Sequence, residues 1–205
     1  MTYRRDLELS FDVSSFLPND SSRPAINTEN SPIELSYIAD RREYHPQRLT
    51  ASKNFVLRNL RGQLGRLKQS ATKVKDLLTL TSETWNKARM IEEDVRMLNL
   101  YCPTEATISG DSSRSLLVRS TLLLTPRATK VEVVFTAAFR EEGSSGAVAV
   151  EPKARVIYGE QLDERKMSEF LTGKIAGTVP SGAQDEWAAA VRGLGERLIG
   201  KGKKV

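Results

Sequence analysis

From Arg66 to Cys102 the chain contains neither glycine nor proline. Through and just before this run, Leu57, Leu60, Leu64, Leu67, Ala71, Val74, Leu78, Thr81, Trp85 and Ala88 follow one another at intervals of three and four residues. That spacing puts one apolar or small side chain per turn on a single face of an α-helix. The stretch is therefore one very long helix or two helices meeting near Ser70. Gly62 and Gly65 favour a break close by, since each costs ~1 kcal/mol against alanine in a helix. The seam is narrow, as for a helix that packs on another helix or on a sheet.

On both sides of the helical run the period changes to two. Tyr3, Arg5, Leu7, Leu9 and Phe11 alternate with more polar residues and predict one strand. Ile33, Leu35, Tyr37 and Ala39 predict a second strand, antiparallel to the first, after a Ser-, Asn-, Asp- and Pro-rich loop over 13–32. Downstream, one face of a strand is formed by Leu116, Val118, Ser120, Leu122 and Leu124, and Pro126 ends it. Val131, Val133, Phe135, Ala137 and Phe139 form the next. After the hairpin loop EEGSSG come Val148, Val150, Pro152, Ala154, Val156 and Tyr158. Three consecutive strands with short joins make an antiparallel meander. Two helices close the chain, the first carrying Leu162, Met167, Phe170 and Leu171 and the second Trp187, Val191, Leu194 and Leu198. Strands and helices occur in blocks, so the fold class is α+β, with helices packed on antiparallel sheets. The division is a first domain over 1–69 and a second over 70–205, joined by the long helical region. The first looks like the second without its opening helix.

Charge is uneven. Between Arg41 and Lys75 ten basic residues face one acid, Glu43, so this segment carries +9 and the remainder of the chain −4. Such a block suits an acidic protein partner or nucleic acid, or is a solvated helix face whose long stems cover apolar neighbours. RNA-binding sheets turn aromatic residues outward to stack bases, whereas Tyr37 and Phe135 share strand faces with Leu, Ile and Val. An acidic peptide therefore ranks above nucleic acid, and a basic α+β nucleic-acid-binding module stands as the alternative.

Little supports catalysis. The single histidine lies in Glu43-Tyr-His-Pro-Gln-Arg-Leu49, and the single cysteine, Cys102, is more than fifty residues away. Cys102 follows the C-terminal end of the helical run, where the helix dipole disfavours a thiolate. There is no G-x-S-x-G, Walker or G-x-G-x-x-G motif. Glu92-Glu93-Asp94 and Glu141-Glu142 read as solvated charges, and Trp85 and Trp187, both on apolar helical stripes, as core. One cysteine permits no internal disulfide and no cysteine-based metal site. No cofactor, metal or catalytic residue is expected. No apolar run approaches ~18 residues, and the N-terminus has no apolar segment of the signal-peptide type. The default setting is intracellular and reducing.

Several blocks, YRRDLELSFD, IELSYIADRREYHPQRLTASKNFVLRNLRGQL, QSATKVKDLL, VRSTLLL with TKVEVVF, and ARVIYGEQLDERKMSEFL, resemble the C-terminal region of the fungal Spc/Knl (kinetochore-null) outer-kinetochore scaffold family. The resemblance extends over about residues 2–200. It implies two tandem RWD domains, relatives of the ubiquitin-conjugating fold that lack the catalytic cysteine. His45-Pro46 then becomes a strand-to-helix connection. It further implies docking onto the Mis-type complex of the KMN network through the C-terminal tail of its Nsl-type subunit. A Zwint-like (Sos/Kre-type) subunit would pair with a coiled coil upstream, the location would be the nucleus and kinetochore, and neither a membrane nor direct nucleic-acid contact is implied. Because the chain starts in a strand, it is expected to be a fragment whose first opening helix is missing or supplied from upstream. The family's contacts are not marked by a compact motif. From charge alone, Arg41, Arg42, Arg58 and Arg61 are expected to flank the docked tail near the junction of the two domains.

Overall fold

The computed structural model describes residues 2–3, 7–10, 33–38, 49–67, 74–109, 115–140, 147–179 and 185–200. Its elements run β1 (Thr2–Tyr3), β2 (Leu7–Ser10), β3 (Glu34–Tyr37), α1 (Ala51–Leu64), α2 (Val74–Tyr101), β4 (Thr104–Ser109), β5 (Ser115–Leu124), β6 (Thr129–Phe139), β7 (Val148–Tyr158), α3 (Glu164–Thr172), β8 (Thr178–Val179) and α4 (Glu186–Gly200). The strands form two antiparallel sheets, of order β1-β2-β3 and β4-β5-β6-β7-β8. The chain is α+β, with two compact units. One comprises residues 1–50 and 56–86, the other residues 51–55 and 87–205, so α1 and α2 each contribute to both.

In the first unit, Leu7 and Leu9 of β2 and Leu35 and Tyr37 of β3 are buried on one sheet face, with Leu9 opposite Leu35 and Leu7 opposite Tyr37. Leu57, Leu60 and Leu64 of α1 are buried, as are Leu77 and Trp85 of α2. The Tyr37 and Trp85 rings lie 6.1 Å apart. One expectation needs correction. The alternation over Tyr3–Phe11 is not a single strand, because β1 turns back to pair antiparallel with β2, Tyr3 facing Leu7. Of the two readings left open for the helical run, the structure has two helices, with the break on the side the glycines favoured: α1 ends at Leu64 and Gly65 lies in the turn after it. The break rephases the seam, so that Leu77 is buried while Val74 and Leu78 are half-buried; from Thr81 on, the spacing holds.

In the second unit every residue assigned to the inner face of β5 is buried. The inner faces of β6 and β7 follow through Ala137 and from Val148 to Ala154. Beyond that the pattern fails at Tyr158, which is exposed. A bulge at Lys130/Val131 inserts one residue into β7, pairing Val156 with Val131 but Tyr158 with Lys130. The extra residue turns Tyr158 to the outer face. Strands β4 and β8 were not individually legible: Thr-Glu-Ala-Thr-Ile-Ser carries only a weak apolar alternation, and β8 is two residues long. Trp187, Val191, Leu194 and Leu198 line the buried face of α4, and the Trp187 ring stacks on Phe135 at 4.7 Å.

Candidate functional site

In α1 the buried leucines leave the opposite face to polar residues, and Arg58 and Arg61, three residues apart, are exposed there. Side chains at that separation are neighbours on a helix surface. Arg61 is also anchored: its Nε donates to the carbonyl of Leu35 on β3 at 3.0 Å. The bond occupies an acceptor of the sheet edge and leaves the terminal guanidinium nitrogens for another group. Lys53, from the same basic block, is paired with Glu92 at 3.3 Å. Arg41 and Arg42, with His45, lie outside the described residues.

The thiol of Cys102 is buried next to the hydroxyls of Thr104 and Ser120, themselves 2.9 Å apart. Burial raises its pKa, and hydrogen bonds with the two hydroxyls only partly oppose this. A thiol held in its neutral form is a poor nucleophile. Among the described residues no group of His, Cys, Asp and Glu is arranged to hold a metal ion, and no helix is long and apolar enough to cross a membrane.

A groove of about 930 Å³ runs between the outer face of β5–β7 and α3. Most of its charges are already satisfied within it. Arg155 pairs with Glu132 at 2.6 Å, Arg165 with Glu169 at 2.8 Å and Lys153 with Glu151 at 3.1 Å. Helix α3 also closes the adjoining sheet edge. Glu164 Oε1 accepts from the Val156 amide at 2.8 Å and Ser168 Oγ from the Ala154 amide at 3.0 Å. Position 152 is proline and has no amide to offer, while the Val150 amide donates to Gly177 O at 2.9 Å. The groove is thus lined by internally neutralised charge beside a sealed strand edge.

Sequence reasoning missed one electrostatic feature. Asp94 is not solvated as Glu92-Glu93-Asp94 suggested; it is buried. Ile91 and Leu98 lie three residues before and four after it, so helical spacing places its side chain on the apolar face, and that signal was available. The carboxylate accepts a hydrogen bond from the Trp187 amide at the start of α4. Burial, reinforced by the charges of Glu186, Asp185 and Glu93, nevertheless pushes its pKa up to about 7.

Comparison with known families matches residues 1–92 to the Knl1 RWD C-terminal domain. No curated protein and no solved structure matches the chain. The match spans β1 through most of α2, which contain the sheet with its packed helices and the exposed arginines of α1. Residues 1–92 are thus similar to the Knl1 RWD C-terminal domain, a kinetochore domain type, and their antiparallel sheet and packed helices agree with an RWD-like α+β region.

Proposed function

We propose that the chain is a non-catalytic docking module that attaches an outer-kinetochore scaffold of the fungal Spc/Knl kind to the Mis-type complex, by receiving the C-terminal tail of the Nsl-type subunit. The observation that carries this reading is the Knl1-type RWD match over residues 1–92. In this reading a first RWD-like domain covers 1–69 and a second 70–205, and the presence of a second antiparallel sheet, β4 to β8, supports the tandem arrangement. A Zwint-like (Sos/Kre-type) subunit belongs to a coiled coil upstream, and the module works at the kinetochore in the nucleus.

In this reading Arg41, Arg42, Arg58 and Arg61 steer an acidic tail. A guanidinium can hold a carboxylate with two parallel hydrogen bonds, and long-range attraction chiefly raises the association rate. Arg58→Glu is the cleaner test, because Arg61 also anchors β3. Against a synthetic Nsl-type tail, the variant associates several-fold more slowly at low salt, and its rate falls less than the wild type's as salt shortens the reach of charge to ~8 Å. Equal rates with equal salt slopes would remove Arg58 from the mechanism.

A further inference from the structure

The two edges of the five-stranded sheet are treated differently. The β7 edge is closed by β8, Gly177, Pro152, Ser168 and Glu164, as described above. At the opposite edge, the Thr121 amide donates to Pro103 O at 2.9 Å. Together with the pairing of Glu105 to Arg119 and Thr107 to Leu117, this bond fixes the phase of the ladder. Residues 103, 105, 107 and 109 turn their main-chain groups toward β5, and 104, 106 and 108 turn theirs away. The Thr104 amide is taken by Asn99 Oδ1 at 3.2 Å. The amides and carbonyls of Ala106 and Ile108 have no partner among the described residues.

Strand β4 also lacks the usual protections of a free edge. It contains no lysine and no proline, and its pairing to β5 runs without a bulge. Ala106 and Ile108 are only half-buried on the inner face, although their neighbours Val118 and Leu116 on β5 are fully buried. One more strand would complete their cover. On the outer face Glu105 is exposed.

We propose that the open edge of β4 takes up an extended segment of a partner polypeptide as a sixth strand, with apolar side chains opposite Ala106 and Ile108 and a lysine or arginine opposite Glu105. Main-chain bonding to two amides and two carbonyls supplies the attachment, and the alternating side chains set the register. This rests on the docking reading for the partner's origin, and adds the segment's conformation and pattern.

A probe follows from the sheet itself. A capped peptide Ser-Leu-Leu-Val-Arg-Ser, the sequence of Ser115–Ser120, pairs with β4 on its inner side with Arg119 opposite Glu105, Val118 opposite Ala106 and Leu116 opposite Ile108. In the isolated chain, the amides of Ala106 and Ile108 exchange hydrogen without protection, while those of Glu105, Thr107 and Ser109 are protected. At millimolar peptide the two open amides shift in the NMR spectrum and gain at least tenfold protection. Ala106→Pro, which removes an amide the ladder does not use, abolishes the effect. So does N-methylation of the second and fourth peptide residues, whereas methylation of the third and fifth does not; the methylated peptides decide the matter even where the proline variant folds poorly. Protection of Ala106 and Ile108 in the isolated chain overturns the proposal. If that protection grows with protein concentration the occupant is a second copy, and otherwise it is the chain itself. Absence of any shift, or a shift indifferent to methylation, overturns it as well. None of these measurements uses the Nsl-type tail, so a failure of tail docking is read separately.

Discussion

Replacing Asp94 by asparagine removes a buried charge and keeps an oxygen to accept the Trp187 amide. Asp94 has an ordinary pKa of 3.8 when unfolded and about 7 in the fold. Between those values the native state holds a proton that the unfolded chain has released, so stability falls as pH rises through this window. Each unit of difference is worth about 1.4 kcal/mol, and the full contribution lost by pH 8 is on the order of 4 kcal/mol. Well below 3.8 the carboxyl is neutral in both states and the contribution is fully present. Relative to its own offset at low pH, Asp94→Asn should therefore lie within ~1 kcal/mol of the wild type at pH 4 and exceed it by on the order of 4 kcal/mol at pH 8. The difference between the two proteins cancels the titration of the other carboxylates, apart from Glu93, Asp185 and Glu186, whose repulsion by Asp94 the substitution also relieves. Urea unfolding followed by tryptophan fluorescence at pH 4, 5, 6, 7 and 8 gives the curve directly. A variant whose advantage is the same at every pH, or that is less stable at pH 8, would refute the reasoning and mean that the ionised carboxylate is a net-favourable cap on α4.

Trp187→Ala removes a buried ring stacked on Phe135 and should cost ~3–5 kcal/mol in urea unfolding; a melting temperature within a degree or two of the parent would show that α4 is not a lid on the sheet. Gly159 has φ +101, and a Cβ there would lie 2.5 Å from Ala128 O, so Gly159→Ala should destabilise by more than ~1 kcal/mol, again measured by urea unfolding. Cys102→Ser should leave tail binding within ~1 kcal/mol by calorimetry, since its neighbours Thr104 and Ser120 can hydrogen-bond a hydroxyl; loss of a covalent activity in that variant would overturn the non-catalytic reading.

How far the sequence discloses this molecule can be read from individual residues. The four α4 positions and the whole inner face of β5 follow from period alone, because each face meets a single apolar layer. Period fails where an extra residue enters: nothing in Val-Ile-Tyr marks the β7 bulge that turns Tyr158 outward. It fails also at β1, since a two-residue strand has no period to detect. Asp94 was legible and misread, because acidic neighbours in sequence drew attention from its place on the helical face. For the candidate site, composition disclosed the basic block and helical spacing put Arg58 and Arg61 together. The bond from Arg61 to Leu35 joins residues 26 apart, and no local pattern encodes it. The open β4 edge was equally hidden, since it depends on what lies beside the strand and not on the strand's own residues.

The account turns on tail docking, and the most direct measurement is calorimetric titration of the chain into a reconstituted Mis-type complex, intact and lacking the C-terminal tail of its Nsl-type subunit. The account predicts saturable binding to the intact complex and at least a hundredfold weaker binding after the tail is removed, about 2.7 kcal/mol. Binding that is unchanged by removal of the tail, or no binding to the intact complex, would contradict it.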